Sequence, residues 1–427
     1  MNHLLSFFGS FGLTLLLTWY VRGAALTNNW VSVPRSYRHV HNRPIPRLGG
    51  IAIVLAFFGI TGALAIVNQI ISPHVGFSSH RWLALLGPTL LIFALGLYDD
   101  IKNTSPFLKL GVEIVAAVWL FADGYRVTYA FGGRHLGFSL SLALTVSFVV
   151  LITNAFNLID GIDGLAAGSA LFSALVIFVI ALLNGSYFVS LTSVALLGCI
   201  LAFLRYNFHP ATIFLGDSGS LFIGFVLSAL GLASGQASPT LIAVAIPVVA
   251  CGLPILETGL SVLRRFMNDK PLFTADRDHI HHKLLAMGLS QRQVAIMLYA
   301  VSALFAGISL LLLSGGSKSV TLALGIVGAV VWIALQRVGY LEMSELQRVA
   351  QRTMEQKRIM ANNLCIRRAC ETLKTCSSIT EMCTIFETAF EKNEFDRIEL
   401  RFPMPADMDR EVNVAPMTID RGHVVYF

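Results

Sequence analysis

Eleven apolar runs follow one another along this chain, each about the 17–25 residues that cross a hydrocarbon core. They lie at roughly 4–21, 48–71, 82–98, 107–122, 140–159, 164–184, 187–204, 218–236, 239–263, 293–315 and 318–336. Within lipid the backbone must satisfy its own hydrogen bonds, so runs of this length fold as helices. The pattern predicts an all-α polytopic membrane protein of about eleven spans. Composition agrees: 55% of the 427 residues are hydrophobic and 13% are charged, where soluble domains carry about 25% charged residues. The first run has no basic flank before it and no small-residue cleavage site after it. It therefore reads as a retained helix and not as a removed leader.

Orientation follows from the basic residues, which cytoplasmic loops retain. Loops after odd-numbered runs hold most of them, including Arg22, Arg35, Arg38, Arg43, Arg47, Arg264 and Arg265, while the opposite loops hold Arg81, Arg126, Arg134 and Lys318. The N-terminus is thus expected outside and the C-terminus inside. The net charge of +6 reads mainly as topology, with some attraction for anionic lipid and phosphate. No nucleic-acid partner is expected, and association with a second copy of the chain is left open.

Two regions are expected, a transmembrane domain over 1–338 and a small cytoplasmic α+β extension over 339–427. The extension opens with a charge-laced helical stretch at 341–361 and leads to a strand at 397–402. Its role is unassigned. Cys199 and Cys251 fall in apolar runs, and Cys365, Cys370, Cys376 and Cys383 fall in the extension without a C-x-x-C pair. Reduced thiols are expected.

Acidic residues carry the chemistry. Asp99-Asp100 closes the third run, Asp160 and Asp163 lie in the amide-rich turn that begins at Asn154 and Asn157, and Asp217 precedes the eighth run inside Gly216-Asp217-Ser218-Gly219-Ser220. All five map to the predicted cytoplasmic side, although the topology was read from Lys/Arg alone. Adjacent carboxylates at a helix C-terminus repel each other and oppose the macrodipole. A bound divalent cation or an accepted proton would relieve both penalties. Asp217 could be an ordinary N-cap, but a glycine-flanked helix start also offers amides to phosphate. Carboxylates with substrate phosphates are the usual Mg²⁺ environment.

Two basic loops complete the pattern. In Asp276-Arg277-Asp278-His279-Ile280-His281-His282-Lys283 the three histidines lack a Cys pair or an H-E-x-x-H helix, so zinc is disfavoured. With Arg264, Arg265, Arg277 and Lys283, a cationic pocket for a diphosphate or sugar fits better. The first loop ends in Arg43-Pro44-Ile45-Pro46-Arg47-Leu48-Gly49-Gly50; its prolines and paired glycines suggest a shaped loop that turns Arg47 toward phosphate. Glu113 and Glu257 are single acids with no assigned role.

These blocks, in this order, resemble the polyprenyl-phosphate N-acetylhexosamine-1-phosphate transferases, glycosyltransferase family 4, of bacterial cell-envelope synthesis. Gly96-Leu97-Tyr98-Asp99-Asp100 matches the double-aspartate block, Asn154 to Gly164 the Asn/Asp block, and Phe214 to Ser220 the Gly-Asp-x-Gly-Ser block. His279-Ile280-His281-His282 resembles the histidine block of the branch that uses UDP-GlcNAc. The resemblance implies a multi-pass enzyme of the bacterial inner membrane with a cytoplasmic active site. There a lipid phosphate attacks the β-phosphorus of a UDP-sugar, with Mg²⁺ or Mn²⁺ bound, giving polyprenyl-diphosphate-sugar and UMP. It implies Asp217 as principal metal ligand assisted by Asp99 and Asp100, one of which could accept the lipid phosphate's proton. Asp163, Asn207 and Phe214 correspond to uridine positions, and Asp160 to one beside the diphosphate. His279, His281 and His282 correspond to a phosphate or amino-sugar site.

The first loop departs from the family pattern, with Ser32-Val33-Pro34 for Asp-x-Pro and His39 at a usual lysine. Another UDP-amino sugar or UDP-MurNAc-pentapeptide is the alternative donor. A secondary transporter is the alternative of another class, and would place its polar residues near the bilayer midplane.

Overall fold

The computed structural model describes residues 1–28, 30, 45–71, 78–102, 104–129, 134–235, 241–267 and 279–313, isolated positions within 322–329, most of 359–386, and residues 397–400, 417–420 and 423–425. Of 68–71, 241–244, 267 and the last three segments only the backbone is described. The chain divides into two units, Met1–Tyr340 and Leu341–Phe427.

The first unit is helical: α1 (Asn2–Thr27), α2 (Gly49–Ile71), α3 (Ser79–Lys102), α4 (Pro106–Ala122), α5 (Phe138–Leu158), α6 (Leu165–Leu183), α7 (Tyr187–Asn207), α8 (Gly216–Gly235), α9 (Leu241–Ala250), α10 (Gly252–Met267), α11 (Ile280–Ala286) and α12 (Gln291–Leu312). Among the described residues eight are long and apolar enough to cross a membrane: α1, α2, α3, α5, α6, α7, α8 and α12. Three of the eleven expected runs are not among them. The 107–122 run forms α4, which has 17 residues. The 239–263 run divides into α9 and α10, and most of 318–336 lies outside the described residues.

The division at Cys251 has a local cause. Pro254 has no N–H to give the carbonyl four residues earlier, that of Ala250. Ser173 Oγ on α6 donates to that carbonyl at 2.9 Å instead, the way helix breaks inside apolar surroundings are commonly repaired. α10 follows, with Glu257 buried and Arg264 and Arg265 in its last turn.

α8 is the hub. Its span is wholly buried and packs against α2, α3, α5 and α6. Its glycines, serines and alanines leave room for close backbone approach, as at membrane helix crossings generally. A Cβ on Gly224 would fall 2.8 Å from Thr153 Cα on α5, and one on Gly96 of α3 would fall 2.5 Å from the Asp217 carbonyl oxygen. These crossings bring the C-terminal ends of α3 and α5 beside the N-terminal end of α8.

In the second unit, residues 362–373 are helical. A small antiparallel sheet pairs β1 (Arg397–Leu400) with β2 (Met417–Asp420) and β2 with β3 (His423–Val425). The expected strand at 397–402 is therefore present over its first four residues. Most of the 341–361 stretch lies outside the described residues, as does Cys383. Cys199, Cys251, Cys365, Cys370 and Cys376 are free thiols.

Candidate active site

The site grows from the start of α8. Residues 46–50 run beside 214–215: Phe214 N donates to the Pro46 carbonyl at 2.7 Å, Gly49 N to Phe214 at 3.0 Å and Gly50 N to Leu215 at 2.9 Å. The turn into the helix uses Gly216 at φ +71°, where a Cβ would stand 2.1 Å from the Arg47 carbonyl oxygen and 2.7 Å from Asp100 Oδ2. Only glycine takes both that conformation and that space.

A helix start leaves its first amides unpaired, and here the cap comes from another helix. Asp100, near the end of α3, accepts from Asp217 N through Oδ1 at 2.8 Å and from Ser218 N through Oδ2 at 3.0 Å. Its charge complements the positive end of the α8 dipole. Asp217 is therefore inside the first turn of α8 and does not cap it, which leaves its carboxylate for other work.

That carboxylate meets Asp99 at one cation. Lys109 Nζ on α4 stands 2.5 Å from Asp217 Oδ2 and 2.6 Å from Asp99 Oδ2, while Asp99 Oδ1 accepts from Thr104 N at 2.5 Å. The structure thus separates the double aspartate into two tasks, with Asp100 on the helix start and Asp99 on the cation. Among the described residues no three His, Cys, Asp or Glu side chains are gathered as a metal cluster. Two hard carboxylates already holding a cation nevertheless match Mg²⁺, which typically takes one or two carboxylates and completes its shell with water and substrate phosphate. The donor set fits the implied metal.

The turn between α5 and α6 forms the next wall. Asp163 Oδ2 accepts from Ala211 N at 3.0 Å and lies 2.8 Å from His209 Nδ1, so this carboxylate ties the turn to the loop after α7. Asn207 is buried there, its Nδ2 donating to the Ile213 carbonyl at 3.0 Å. That bond shapes the approach to Phe214. Asn157 Nδ2 donates to Ser220 Oγ at 3.0 Å, linking α5 to the first turns of α8. Asp160 feels Asp217, Asp100 and Asp163; burial, then those charges, push its carboxyl up to about 8, with Arg47 opposing. Asn154 lies deeper and bonds Glu113 on α4 and the Val150 carbonyl.

The histidine block reaches the same place. His279 and His281 lie parallel, 5.4 Å apart, and each turns Nδ1 toward Glu257 Oε1, at 3.3 and 3.4 Å. The same oxygen accepts from Ile280 N at 2.7 Å. His281 Nε2 lies 2.5 Å from where a Cβ on Gly161 would be, so the block sits directly on the Asp160–Asp163 turn. His282 is tilted against His281 at 4.5 Å. Tyr299 on α12 donates to the Gly164 carbonyl at 2.7 Å and closes the far side. Arg277 and the first-loop residues Ser32, Arg35, Arg38, His39, His41 and Arg43 lie outside the described residues.

The glycosyl transferase family 4 profile matches residues 82–235, the segment that carries all five aspartates. A Bacillus subtilis (strain 168) protein, described as a probable undecaprenyl-phosphate N-acetylglucosaminyl 1-phosphate transferase, is 34% identical over 296 residues, covering 68% of this chain and 79% of that relative. The chain belongs to glycosyl transferase family 4. Other family 4 relatives include a Mycobacterium tuberculosis decaprenyl-phosphate N-acetylglucosaminephosphotransferase, 35% identical over 67% of this chain and 76% of its own length. A Rubrobacter xylanophilus phospho-N-acetylmuramoyl-pentapeptide-transferase is 30% identical over 64% and 84% respectively.

Lys109, His209 and Tyr299 escaped the sequence reading, and Glu113 and Glu257 were named there without a role. Lys109, Glu113 and Glu257 sit inside apolar runs, where an ionisable residue is a functional candidate by default; that signal was present and was given less weight than the aspartate clusters. His209 and Tyr299 join the site only through contacts across the fold, for which the sequence carries no local mark.

Proposed function

We propose that this family 4 enzyme transfers N-acetylglucosamine 1-phosphate from UDP-GlcNAc to undecaprenyl phosphate, releasing UMP and beginning a lipid-linked envelope glycan. The observation that carries this is the 34% identity to the Bacillus subtilis relative, together with the convergence of the aspartate and histidine blocks at one end of the bundle. The Lys/Arg distribution supports a cytoplasmic active site in a bacterial inner membrane. A transporter would hold its polar residues near the midplane, whereas these gather at helix ends.

Phosphoryl transfer needs positioning and charge neutralisation more than covalent help. An oxygen of the lipid phosphate forms a bond to the β-phosphorus as the bond to the α-phosphate oxygen breaks, and UMP leaves. Asp99 and Asp217 would hold Mg²⁺, which supplies a Lewis acid and a template for the diphosphate. Asp100 keeps the start of α8 in place, and Arg47 stands beside it as a phosphate contact. Asp163 and Asn207 shape the loop that would receive uridine against Phe214. His281 sits on the turn where the sugar phosphate would lie, Glu257 orients it and His279, and His282 packs against both rings. A phosphate monoester is already anionic, so the attack does not require a strong base.

The test is product formation by the purified protein from undecaprenyl phosphate with UDP-GlcNAc, UDP-GalNAc or UDP-MurNAc-pentapeptide. Lipid-linked sugar from UDP-GlcNAc supports the reading. Product from UDP-MurNAc-pentapeptide alone would move the chain to the activity named for the Rubrobacter relative.

A further inference from the structure

Lys109 Nζ stands between the two carboxylates that would hold the metal. Its ammonium is bound by Asp99 Oδ2 at 2.6 Å and Asp217 Oδ2 at 2.5 Å, so a metal held by those two oxygens and a lysine in the same position exclude each other by charge and by space. The displaced ammonium then needs a new partner, because an unpaired cation in a half-buried site is costly.

One turn along α4 the fold supplies one. Glu113 is 1% exposed. Its Oε2 accepts from Asn154 Nδ2, while Oε1 has no hydrogen-bond partner among the described residues. A buried carboxylate oxygen left without a partner is rare and calls for a reason. Residues at i and i+4 are neighbours on a helix face, and among the described residues the charges of Lys109 and Asp217 act on Glu113. A lysine stem is long and flexible enough to swing between the two positions.

We infer that Lys109 and Glu113 form a cation exchange device: Lys109 keeps Asp99 and Asp217 together before the metal binds, then moves to the open oxygen of Glu113 as the metal enters. The inference rests on the reading of Asp99 and Asp217 as metal ligands. Lys109 and Glu113 are positioning residues, and the device sets how tightly the empty enzyme takes up its metal.

The experiment is an electron paramagnetic resonance titration of the detergent-purified full chain with Mn²⁺, without substrates, for wild type, Lys109→Gln, Glu113→Gln, the double variant and Asp217→Asn. Removing the competing ammonium should tighten Mn²⁺ binding on the order of tenfold. Glu113→Gln should weaken it several-fold in the wild-type background and leave it unchanged in the Lys109→Gln background. A simple charge effect would instead give the same Glu113→Gln factor in both backgrounds, and that result overturns the exchange. Unchanged affinity in Lys109→Gln overturns it too. If Asp217→Asn binds Mn²⁺ like wild type, the metal site itself is misassigned and the exchange falls with it. If Asp217→Asn loses Mn²⁺ while the other variants match wild type, only the exchange fails. Should Lys109→Gln not fold, infrared spectra of wild type against Glu113→Gln decide. The Glu113 carboxylate band should shift when Mg²⁺ is added, and a band that does not move overturns the exchange.

Discussion

Asp160 and Asp163 lie three residues apart in one turn and face opposite demands. Asp163 is tied to Ala211 N and His209, so it supports the loop that leads to Phe214. Asp163→Ala should lower UDP-sugar affinity by about tenfold or more, in line with the roughly 1–3 kcal/mol cost of leaving buried donors unpaired; calorimetry showing unchanged nucleotide affinity would remove it from that wall. Asp160 is crowded instead, its carboxyl raised from 3.8 to about 8. The folded state then binds more protons than the unfolded one, so stability falls as pH rises from about 4 to about 8. In EDTA the thermal midpoint of wild type should drop across that window, and Asp160→Asn should flatten the drop; parallel pH profiles would contradict the shift. At this scale the five aspartates were legible because acids at apolar run ends stand out. Their division of labour was not. Which of Asp99 and Asp100 meets the cation depends on which way each points from α3, and that is set by packing against α8.

Among the elements, α8 decides where the site is. Close crossings at Gly96 and Gly224 set α3 and α5 against it, and the caps and turns follow from that placement. Gly96→Val should push α3 from the start of α8, since overpacking typically costs about 1–3 kcal/mol. It should lower both thermal stability and turnover; a variant with wild-type values of both would mean that the crossing tolerates expansion. Most spans were legible from apolar length alone. The 239–263 run was misread as one helix because hydropathy does not register where a proline falls, and Pro254 with the Ser173 bond to Ala250 makes it two. α10 then carries Glu257 to the histidine block.

For the whole molecule, sites read from four separated stretches of sequence converge at one end of a helical bundle, and the family match over residues 82–235 takes in three of those stretches. The unit Leu341–Phe427 holds none of the residues assigned to the reaction. Deleting 341–427 should leave turnover within about twofold of the full chain in the same detergent, a difference of only about 0.4 kcal/mol in barrier. Loss of turnover in a folded truncation would place part of the machinery in the extension. On the proposed function, Asp99 and Asp217 would hold a divalent cation at the start of α8 that sugar-phosphate transfer to lipid requires. The most direct test is formation of UMP and lipid-linked GlcNAc from UDP-GlcNAc and undecaprenyl phosphate, in Mg²⁺ and in EDTA, by wild type and Asp217→Asn. The account predicts matched amounts of both products from wild type only with Mg²⁺, and none from Asp217→Asn at any Mg²⁺ concentration; wild-type turnover in EDTA, or near-normal turnover by Asp217→Asn, would contradict it.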